Sequence, residues 1–552
     1  MGTVYAIGID FGTSNSCVAY ATYYDRGGGA VDPDPIHKPE AITFNHKETI
    51  PTVVFLGDGG EQPPLFGELA EEKSPFYPEL TRSGFKLRLG KPDTGTEAFA
   101  LSKQFLAHLR QRTAEFIPLD KKDDSVRIET VVGHPVQWSA DQREETRRAA
   151  VEAGFPNVRL EEESMAALYS HLCEQSQEFR PKPGSRIFMV DMGGGTTDFA
   201  FLQLAMAENQ RPVSIPVDPA PNVPAWGNDR RSYGGRDLDQ LMLDYLSRDW
   251  DPEMVKKHRQ ALLREVRRFK ESFSQRISAG GWDYETLWLV GSDAIKVRLS
   301  RTEFEQFAGE YIEHFEVLLR GALEEARLAP RQVTYLVLTG GHSRWYFVDD
   351  TLKRVMPHLS VREGTILRHA NPEQSVARGL AYDPVVRSNR GGIMAPVRKA
   401  AHALWVAVPN GTLTAKDGAA AAGAWDEPVL LVPRGQQLPF QTRTPLRIKV
   451  EQLGLDTKEA IVSIRFFSGQ RRAPLLERVA RFERGFWEQM TKTVSLCLPW
   501  ARSMTPDQFE VLVACQVDEH ELITAELLVT RYLKGKPMDV QRQKMQLGTT
   551  TA

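Results

Sequence analysis

The sequence has no marked excess of charge of either sign, few cysteines and no long apolar run. Its 552 residues are 41% hydrophobic and 26% charged, with a formal net charge of −3. Proteins that bind nucleic acid or anionic membranes usually show a basic excess, so neither partner is expected. No run of about 18 apolar residues predicts a membrane-spanning helix, and no basic stretch precedes the first apolar segment as in an export signal. We therefore expect a cytoplasmic protein.

Several chemical motifs are also missing. The four cysteines, Cys17, Cys173, Cys497 and Cys515, lie far apart and form no CxxC pair. This spacing argues against a zinc site or a disulfide framework. The GxxxxGK[ST] phosphate loop, the glycine-framed nucleophile elbow and the paired histidines of a zinc-protease helix do not occur. The corresponding enzyme classes are excluded.

Two segments that are present share one plan: an apolar strand, an aspartate, a turn of glycine and hydroxyl residues, and a second apolar strand. They cover residues 5–20 and 187–199. Glycine lets backbone N–H groups close around an anion such as phosphate, although it also serves ordinary turns. Two such hairpins could grip one polyphosphate from opposite sides. The candidate phosphate-binding residues are Gly12, Thr13, Ser14, Asn15, Gly193, Gly194, Gly195 and Thr196.

Carboxylates at these turns are candidate magnesium ligands, because Mg²⁺ prefers hard oxygen atoms. Asp10 and Asp191 are expected on the metal side, with Asp198 behind them. Transfer of a γ-phosphate to water depends mainly on positioning and on charge neutralisation. The hydroxyl groups of Thr13 and Thr196 could reach that phosphate or the water.

A third segment, residues 335–344, is again an apolar strand followed by two glycines and a polar turn that could hold a base or a ribose. In order and spacing, the three segments resemble the two phosphate motifs and the adenosine motif of the actin-like ATPase superfamily. Within it they look most like the 70-kDa heat-shock chaperones (DnaK-like). The resemblance implies an α/β fold of two lobes, a duplicated ribonuclease-H-like fold, which binds ATP or ADP with Mg²⁺.

Two connecting segments extend the resemblance. Residues 130–143 resemble the family's first connecting segment, and residues 371–379 resemble its second. The resemblance gives Pro135 and Arg143 a role in a relay between the nucleotide and a second domain. The alternative for this region is a solvated helix over residues 139–153.

The resemblance also assigns roles around the cleft. Lys86 is the candidate for the lysine that reaches the terminal phosphate, with Arg88 as the alternative. Glu163 matches the glutamate that orients or deprotonates the attacking water, although Glu161 and Glu162 leave the register open by one. Together with Asp191 and Thr196, Lys86 and Glu163 form the expected catalytic set. The other expected nucleotide contacts are Gly234, Gly235, Lys270, Ser274, Gly340, Gly341, Ser343, Arg344 and Glu373.

The sequence departs from the family on the helix expected around residues 261–274. Arg267 stands where the family has an acid, and Glu271 stands where it has an arginine. This exchange implies that adenine is held differently or that the nucleotide preference is relaxed.

The chain is expected to divide into an ATPase domain (1–382), a linker (383–396) and a smaller β-sandwich domain (397–552). Val385-Val386 is the nearest equivalent of the family's docking linker. A helix is expected over residues 475–490, and the family's helical lid is expected to be missing. The β-type runs that predict the sandwich are 402–408, 429–432, 446–450, 461–467, 509–517 and 521–530.

The expected function is an ATP-hydrolysing, chaperone-like switch that acts on protein clients or peptide segments. A co-chaperone or a nucleotide-exchange factor is a further expected partner. Two alternatives stay open: a nucleotide-binding scaffold with negligible hydrolysis, and a small-molecule kinase on the same fold. The trailing β-rich region disfavours the kinase, and the intact set of Asp10, Glu163, Asp191 and Thr196 disfavours the scaffold.

Overall fold

A computed structural model of the chain describes its N-terminal part with short gaps and its C-terminal part as strands. Contacts divide the chain into a larger unit (Met1–Val136, Gln142–Pro212 and Pro216–Pro396) and a smaller one (Gln137–Asp141, Val213–Ile215 and Val397–Ala552). The described residues are 2–27, 30–32, 34–57, 63–74, 76–91, 94–120, 125–135, 138, 140–174, 182, 184–204, 213–217, 226, 233–290, 293–360, 364–369, 371–388, 397–398, 403–407, 429–432, 440–442, 446–448, 461–469, 491–497, 509–517, 522–533 and 536–549.

The first half of the larger unit is built around the N-terminal hairpin. Its elements are β1 (Gly2–Asp10), β2 (Asn15–Gly27), β3 (Ala30–Val31), β4 (His37–Ala41), β5 (Ile50–Pro51), β6 (Val53–Phe55), β7 (Leu65–Phe66), α1 (Glu68–Lys73), β8 (Thr81–Ser83), α2 (Gly95–Thr113), β9 (Val126–His134), α3 (Ala140–Glu152), β10 (Val158–Glu162) and α4 (Glu163–Glu174). The main sheet has the order β10-β9-β1-β2-β3. Strands β1 and β2 are antiparallel, whereas β9 and β10 continue the sheet in parallel.

The second half repeats this arrangement. Its elements are β11 (Arg186–Met192), β12 (Thr197–Gln203), β13 (Val213–Val217, whose first three residues belong to the smaller unit), α5 (Gly235–Leu246), α6 (Pro252–Lys257), α7 (Arg259–Ser278), β14 (Asp283–Val290), β15 (Asp293–Ser300), α8 (Arg301–Phe307), α9 (Gly309–Glu325), β16 (Tyr335–Thr339), α10 (Tyr346–Val355), α11 (Pro357–Ser360), β17 (Ile366–Arg368), α12 (Pro372–Ala381) and α13 (Asp383–Arg387). The order β17-β16-β11-β12 again joins an antiparallel hairpin to two parallel strands. The mixed α/β fold therefore contains the same sheet topology twice.

Helices α4 and α12 hold the two halves together. A Cβ atom on Gly379 of α12 would lie 1.6 Å from the carbonyl oxygen of Ala166 in α4. On Gly8 of β1 it would lie 2.0 Å from the carbonyl oxygen of Ala377. Backbone therefore packs directly on backbone where the helices meet each other and the sheet, which only glycine permits.

Residues 383–387, the start of the predicted linker, form α13 instead. Val385 and Val386 are 3% and 1% exposed and belong to the core that the two halves share. The carboxylate of buried Asp383 accepts hydrogen bonds from Arg159 Nη2 at 2.6 Å and from Arg387 Nε at 3.1 Å. Because apolar burial and these ion pairs fix the segment, the folded unit extends beyond the predicted boundary at residue 382. Residues 389–396 lie outside the described part.

The smaller unit contributes two antiparallel sheets. The strands of this unit are β18 (Val397–Arg398), β19 (Ala403–Ala407), β20 (Val429–Val432), β21 (Phe440–Gln441), β22 (Leu446–Ile448), β23 (Ile461–Gly469), β24 (Thr491–Cys497), β25 (Phe509–Val517), β26 (Leu522–Leu533) and β27 (Lys536–Thr549). The orders of the two sheets are β20-β19-β23-β24 and β21-β25-β26-β27, with β22 also paired to β25, whereas β18 pairs with β13. All six predicted β-type runs contain strands, whereas β18, β21, β24 and β27 were not predicted. The predicted helix over residues 475–490 lies outside the described residues.

Among the residues that the structure describes, none of the helices combines the length and the apolar character needed to cross a bilayer.

Candidate functional site

The turns of the two hairpins face one cavity in the larger unit. Asp10 is the last paired residue of β1, and Asp191 is paired with Asp198 at the end of β11. The cavity has a volume of about 250 Å³. The predicted site residues in its wall are Asp10, Gly12, Thr13, Ser14, Asn15, Lys86, Glu163, Asp191, Gly193, Gly194, Gly195, Thr196, Gly235, Lys270, Ser274, Gly340, Gly341, Arg344 and Glu373.

Close contacts explain two of the cavity glycines. A Cβ atom on Gly194 would lie 2.2 Å from Ser14 Oγ, so a larger residue would push the two hairpins apart. Gly340 has a φ of 77°, and its Cβ atom would lie 2.3 Å from the carbonyl oxygen of Met192. Glycine at these two positions therefore lets the turns pack closely at the cavity, as a phosphate cradle requires.

A buried ion pair joins Lys86 to Glu163. Lys86 lies in the 3₁₀ turn Phe85–Arg88, is 1% exposed, and places its Nζ 2.8 Å from Glu163 Oε1. The alternative to this lysine, Arg88, does not line the cavity; its Nη1 lies 3.5 Å from Glu97 Oε2. The cavity wall thus contains Lys86 rather than Arg88.

The three consecutive glutamates, residues 161–163, differ in their positions relative to the cavity. Glu163 begins α4 and lines the cavity, whereas Glu161 and Glu162 belong to β10 and do not. Glu161 Oε1 accepts a hydrogen bond from the backbone N–H of Glu162 at 2.8 Å. Of the three consecutive acids, only Glu163 lines the cavity.

Like charges crowd the carboxylate end of the cavity. Burial raises the pKa of Asp10 to about 7, with Glu163 adding to the effect of burial and Lys86 partly opposing both. Burial likewise raises the pKa of Asp191 well above its ordinary value, with repulsion from Glu163, Asp198 and Asp10 adding to the effect. One lysine does not compensate these acids, so the site favours an added cation.

Magnesium fits this donor set if it keeps most of its water ligands. Within the described part of the chain, no three His, Cys, Asp or Glu side chains are grouped as a ready metal site. Mg²⁺ in nucleotide sites is commonly held by one or two carboxylates, waters and phosphate oxygens. Asp10 and Asp191 could supply those carboxylates. Asp198 lies behind them and accepts a hydrogen bond from Thr196 Oγ1 at 3.0 Å.

One face of α7 forms the other end of the cavity. Arg267, Lys270, Glu271 and Ser274 line it at helical spacing. Lys270 Nζ donates to the carbonyl oxygen of Gly235 at 2.8 Å and lies 2.6 Å from Asp239 Oδ1. Lys270 is therefore already paired.

The two exchanged charges on this face behave differently. Arg267 Nη1 lies 3.3 Å from Glu71 Oε1 on α1. Glu271 faces the cavity, and burial raises the pKa of its carboxyl group. The position at which the family has an arginine is thus occupied by a partly desolvated acid.

Three predicted contacts do not line the cavity: Asp198, Gly234 and Ser343. Ser343 Oγ instead donates to the carbonyl oxygen of Gly340 at 2.7 Å and stabilises the turn. Pro135, predicted as part of a relay, does line the cavity, and Arg143 is buried at 1% exposure.

Arg236 was not predicted, although it lines the cavity. The signal was present in the sequence, because this cation directly follows the glycine pair Gly234-Gly235. A basic residue at the start of a helix is common enough that the sequence alone did not single it out.

Comparisons with known proteins give one family. The family model for Hsp70 protein matches residues 92–392, more than half of the chain. The chain is 26% identical over 393 residues to the chaperone protein DnaK of Thermoplasma volcanium, covering 69% of this chain and 58% of that protein. It is 27% identical over 393 residues to the DnaK of Thermoplasma acidophilum, covering 69% and 58%. With the DnaK of Thermosipho melanesiensis it shares 24% identity over 481 residues, covering 85% of this chain and 70% of that protein. The matches to both Thermoplasma proteins thus span less than two thirds of their length.

Proposed function

Because the chain belongs to the Hsp70 family, we propose that it binds ATP and ADP with Mg²⁺ and hydrolyses ATP slowly. The nucleotide state would control its action on protein clients or peptide segments, in the cytoplasm. The Lys86–Glu163 pair, 2.8 Å apart between two aspartate-led hairpins, is the observation that carries this proposal.

The proposed roles follow from charge and position. Glu163 accepts a proton from, or orients, a water molecule, and its ion pair with Lys86 fixes the direction of its carboxylate. Lys86, which lines the same cavity, would supply positive charge to phosphate oxygens near that water. Preorganised charges of this kind act strongly because little reorganisation is needed during the reaction.

The hairpins bind the phosphate chain and its metal. Backbone N–H groups of Gly12 to Asn15 and of Gly194 and Gly195 would surround the phosphates, whereas that of Gly193 donates to the carbonyl oxygen of Thr196 at 2.9 Å and closes the turn. Mg²⁺ would neutralise phosphate charge, with Asp10 and Asp191 as its carboxylate partners. Thr196 Oγ1, now bonded to Asp198 Oδ2, could turn toward the phosphate by rotation about χ1.

The proposed domains are a nucleotide-binding domain that extends to Arg387 and a β-rich domain over residues 397–552. The two antiparallel sheets of the smaller unit are compatible with a β-sandwich that contacts a client or partner. A co-chaperone or an exchange factor would act on the nucleotide-binding domain.

The decisive experiment measures phosphate release by the purified protein with ATP and Mg²⁺, with and without unfolded polypeptide. We expect Mg²⁺-dependent hydrolysis by the wild type, slowed about 100-fold or more in Glu163→Gln, as loss of a general base implies. ATP affinity should change little, because the amide oxygen introduced in Glu163→Gln can still accept a hydrogen bond from Lys86.

Glu162→Gln is the matched control, since it removes a neighbouring buried carboxylate outside the cavity. Thermal unfolding of both variants separates loss of stability from loss of activity. A wild type that binds ATP without releasing phosphate would support the scaffold alternative. Loss of turnover in Glu162→Gln but not in Glu163→Gln would show that the register is wrong by one.

A further inference from the structure

Arg236 joins the two phosphate hairpins through its backbone and its side chain. Its backbone N–H donates to the carbonyl oxygen of Gly194 at 2.7 Å, which anchors it to the second hairpin. Its guanidinium group reaches the first hairpin, where Nε donates to Ser14 Oγ at 2.9 Å and Nη2 donates to the carbonyl oxygen of Thr13 at 2.6 Å. The cation therefore lies at the point where the two turns meet.

Arg236 differs from the two lysines of the cavity in the groups that it contacts. Lys86 pairs with Glu163, and Lys270 pairs with Asp239. The side-chain hydrogen bonds of Arg236 go instead to two neutral oxygen atoms, and no carboxylate among the described residues forms an ion pair with it. A partly buried guanidinium group whose hydrogen bonds within the described part of the chain go only to neutral oxygen atoms is a ready site for an anion.

The surroundings leave this cation charged at neutral pH. Burial lowers the pKa of Arg236 to about 10, and repulsion from Arg267 adds to that effect, while Asp239 and Asp237 oppose it. The Nη1 group points toward the turn that carries Lys86, because a Cβ atom on Gly84 would lie 2.9 Å from it. Arg236 and Lys86 thus both line the cavity that the two hairpins face.

We propose that Arg236 binds the phosphate chain of the nucleotide, donating charge-assisted hydrogen bonds to its β- or γ-phosphate oxygens. This inference rests on the proposed function and adds a phosphate-binding residue to it. Because the side chain already bridges Thr13 and Ser14, phosphate binding by Arg236 requires the two hairpins to be close together. The residue would therefore favour the closed cleft when a phosphate chain is present.

The test measures the affinities of four ligands for the full-length protein by calorimetry: Mg-ATP, Mg-ADP, adenosine and inorganic tripolyphosphate. We expect Arg236→Gln to lower the affinities for ATP, ADP and tripolyphosphate at least about tenfold, because a charged hydrogen bond is lost. The affinity for adenosine should fall less than about twofold. Arg236→Lys keeps the charge but loses the planar fork, so its affinities should fall between those of the wild type and Arg236→Gln. Arg298→Gln, which alters an exposed arginine on β15, is the matched control.

A purely structural bridge predicts a different pattern. Loss of the contact between the hairpins alone would lower the affinity for adenosine as much as the affinity for ATP. Alternatively, it would lower the thermal stability of the free protein without changing the preference for ligands that carry phosphates over adenosine. Either pattern, or unchanged ATP affinity in Arg236→Gln, would overturn the assignment. Circular dichroism of each variant verifies folding, and Arg236→Lys provides the test if Arg236→Gln does not fold.

The ligands also separate this inference from the proposed function. Normal ATP binding that does not depend on Arg236 would overturn the inference alone. A wild type that binds tripolyphosphate through Arg236 but does not bind ATP would overturn the function alone. Binding of neither ligand would overturn both.

Discussion

Asp10 and Asp191 are held in the folded protein at a cost in electrostatic free energy. Both carboxyl groups are desolvated, and both feel the negative charge of Glu163. Such groups destabilise the empty protein and stabilise a cation when one binds. Functional sites commonly contain groups that lower the stability of the ligand-free protein because these groups are needed to bind a ligand.

This crowding predicts that Asp10→Asn stabilises the metal-free and nucleotide-free protein at alkaline pH. The pKa of Asp10 is raised to about 7 in the folded state, whereas its pKa in the unfolded state is about 4. Its favourable contribution to the free energy of unfolding is therefore fully present below about pH 4 and is lost as pH rises through about 7. The free energy of unfolding of the variant should exceed that of the wild type by roughly 4 kcal/mol at pH 8 and by little near pH 4. Denaturant unfolding in the presence of a chelator, repeated across this range, measures the difference.

Asp249→Asn is the control, because the side chain of Asp249 is 85% exposed. Its free energy of unfolding should differ from that of the wild type by the same small amount at every pH. An Asp10→Asn variant that is less stable than the wild type at pH 8 would show that the carboxylate makes favourable contacts that outweigh its desolvation.

At single residues, local sequence pattern selected acids that line the cavity but did not select Arg236. Asp10, Asp191 and Glu163 stand at recognisable positions beside glycine turns or at a helix start, so local pattern was sufficient to select them. The environment of Arg236 depends on Ser14 and Thr13, more than 220 residues earlier in the chain. A contact between such distant segments leaves no periodic signal in the sequence, and only the fold reveals it.

At the scale of elements, the crossing of α4 and α12 decides how the halves of the larger unit meet. Val376 and Leu380 of α12 pack with Ala166 and Ala167 of α4 in one buried cluster. Small residues at this contact allow the helices to approach closely. The site depends on this contact, because Glu163 begins α4 and Glu373 lies in the first turn of α12.

Gly379→Ala should therefore destabilise the protein by about 3 kcal/mol or more, at the upper end of overpacking effects. The new methyl group would lie 1.6 Å from the carbonyl oxygen of Ala166, and backbone cannot yield as a flexible side chain could. Gly309→Ala is the matched control, because no atom lies within 4 Å of its Cβ position in α9. Equal free energies of unfolding for the two variants would show that α12 can shift without loss.

Elements with a local apolar pattern were predicted from the sequence, whereas elements that depend on tertiary contacts were not. Strands β11, β12 and β16 were predicted because apolar residues run up to glycine turns. Strand β27 was missed because its sequence is rich in polar residues and its pairing to β26 is a tertiary contact. Helix α13 was taken as linker because Gly, Pro and Arg follow it, although the apolar pair Val385-Val386 is buried.

At the scale of the whole molecule, the question is whether nucleotide state reaches residues beyond the larger unit. A ligand shifts a conformational equilibrium only through its different affinities for the two states, so ATP must favour one state by a few kcal/mol to act as a switch. The apolar pair expected to dock as a linker, Val385-Val386, is already part of the folded core. It is not available as a docking segment in this conformation.

We therefore expect ATP to change hydrogen exchange over residues 383–396 only modestly. The backbone N–H groups of Val385 and Val386 donate to the carbonyl oxygen of Tyr382 at 3.0 and 3.2 Å, and that of Ser388 donates to Pro384 at 3.1 Å. These amides should be protected equally in the nucleotide-free protein, with ADP and with a non-hydrolysable ATP analogue. Amides of residues 389–396 should differ little between the three states, and unfolded polypeptide should stimulate phosphate release weakly. Strong protection of residues 389–396 with the ATP analogue alone would contradict this expectation, because it would place the docking segment after α13 and restore ATP-dependent coupling to the smaller unit.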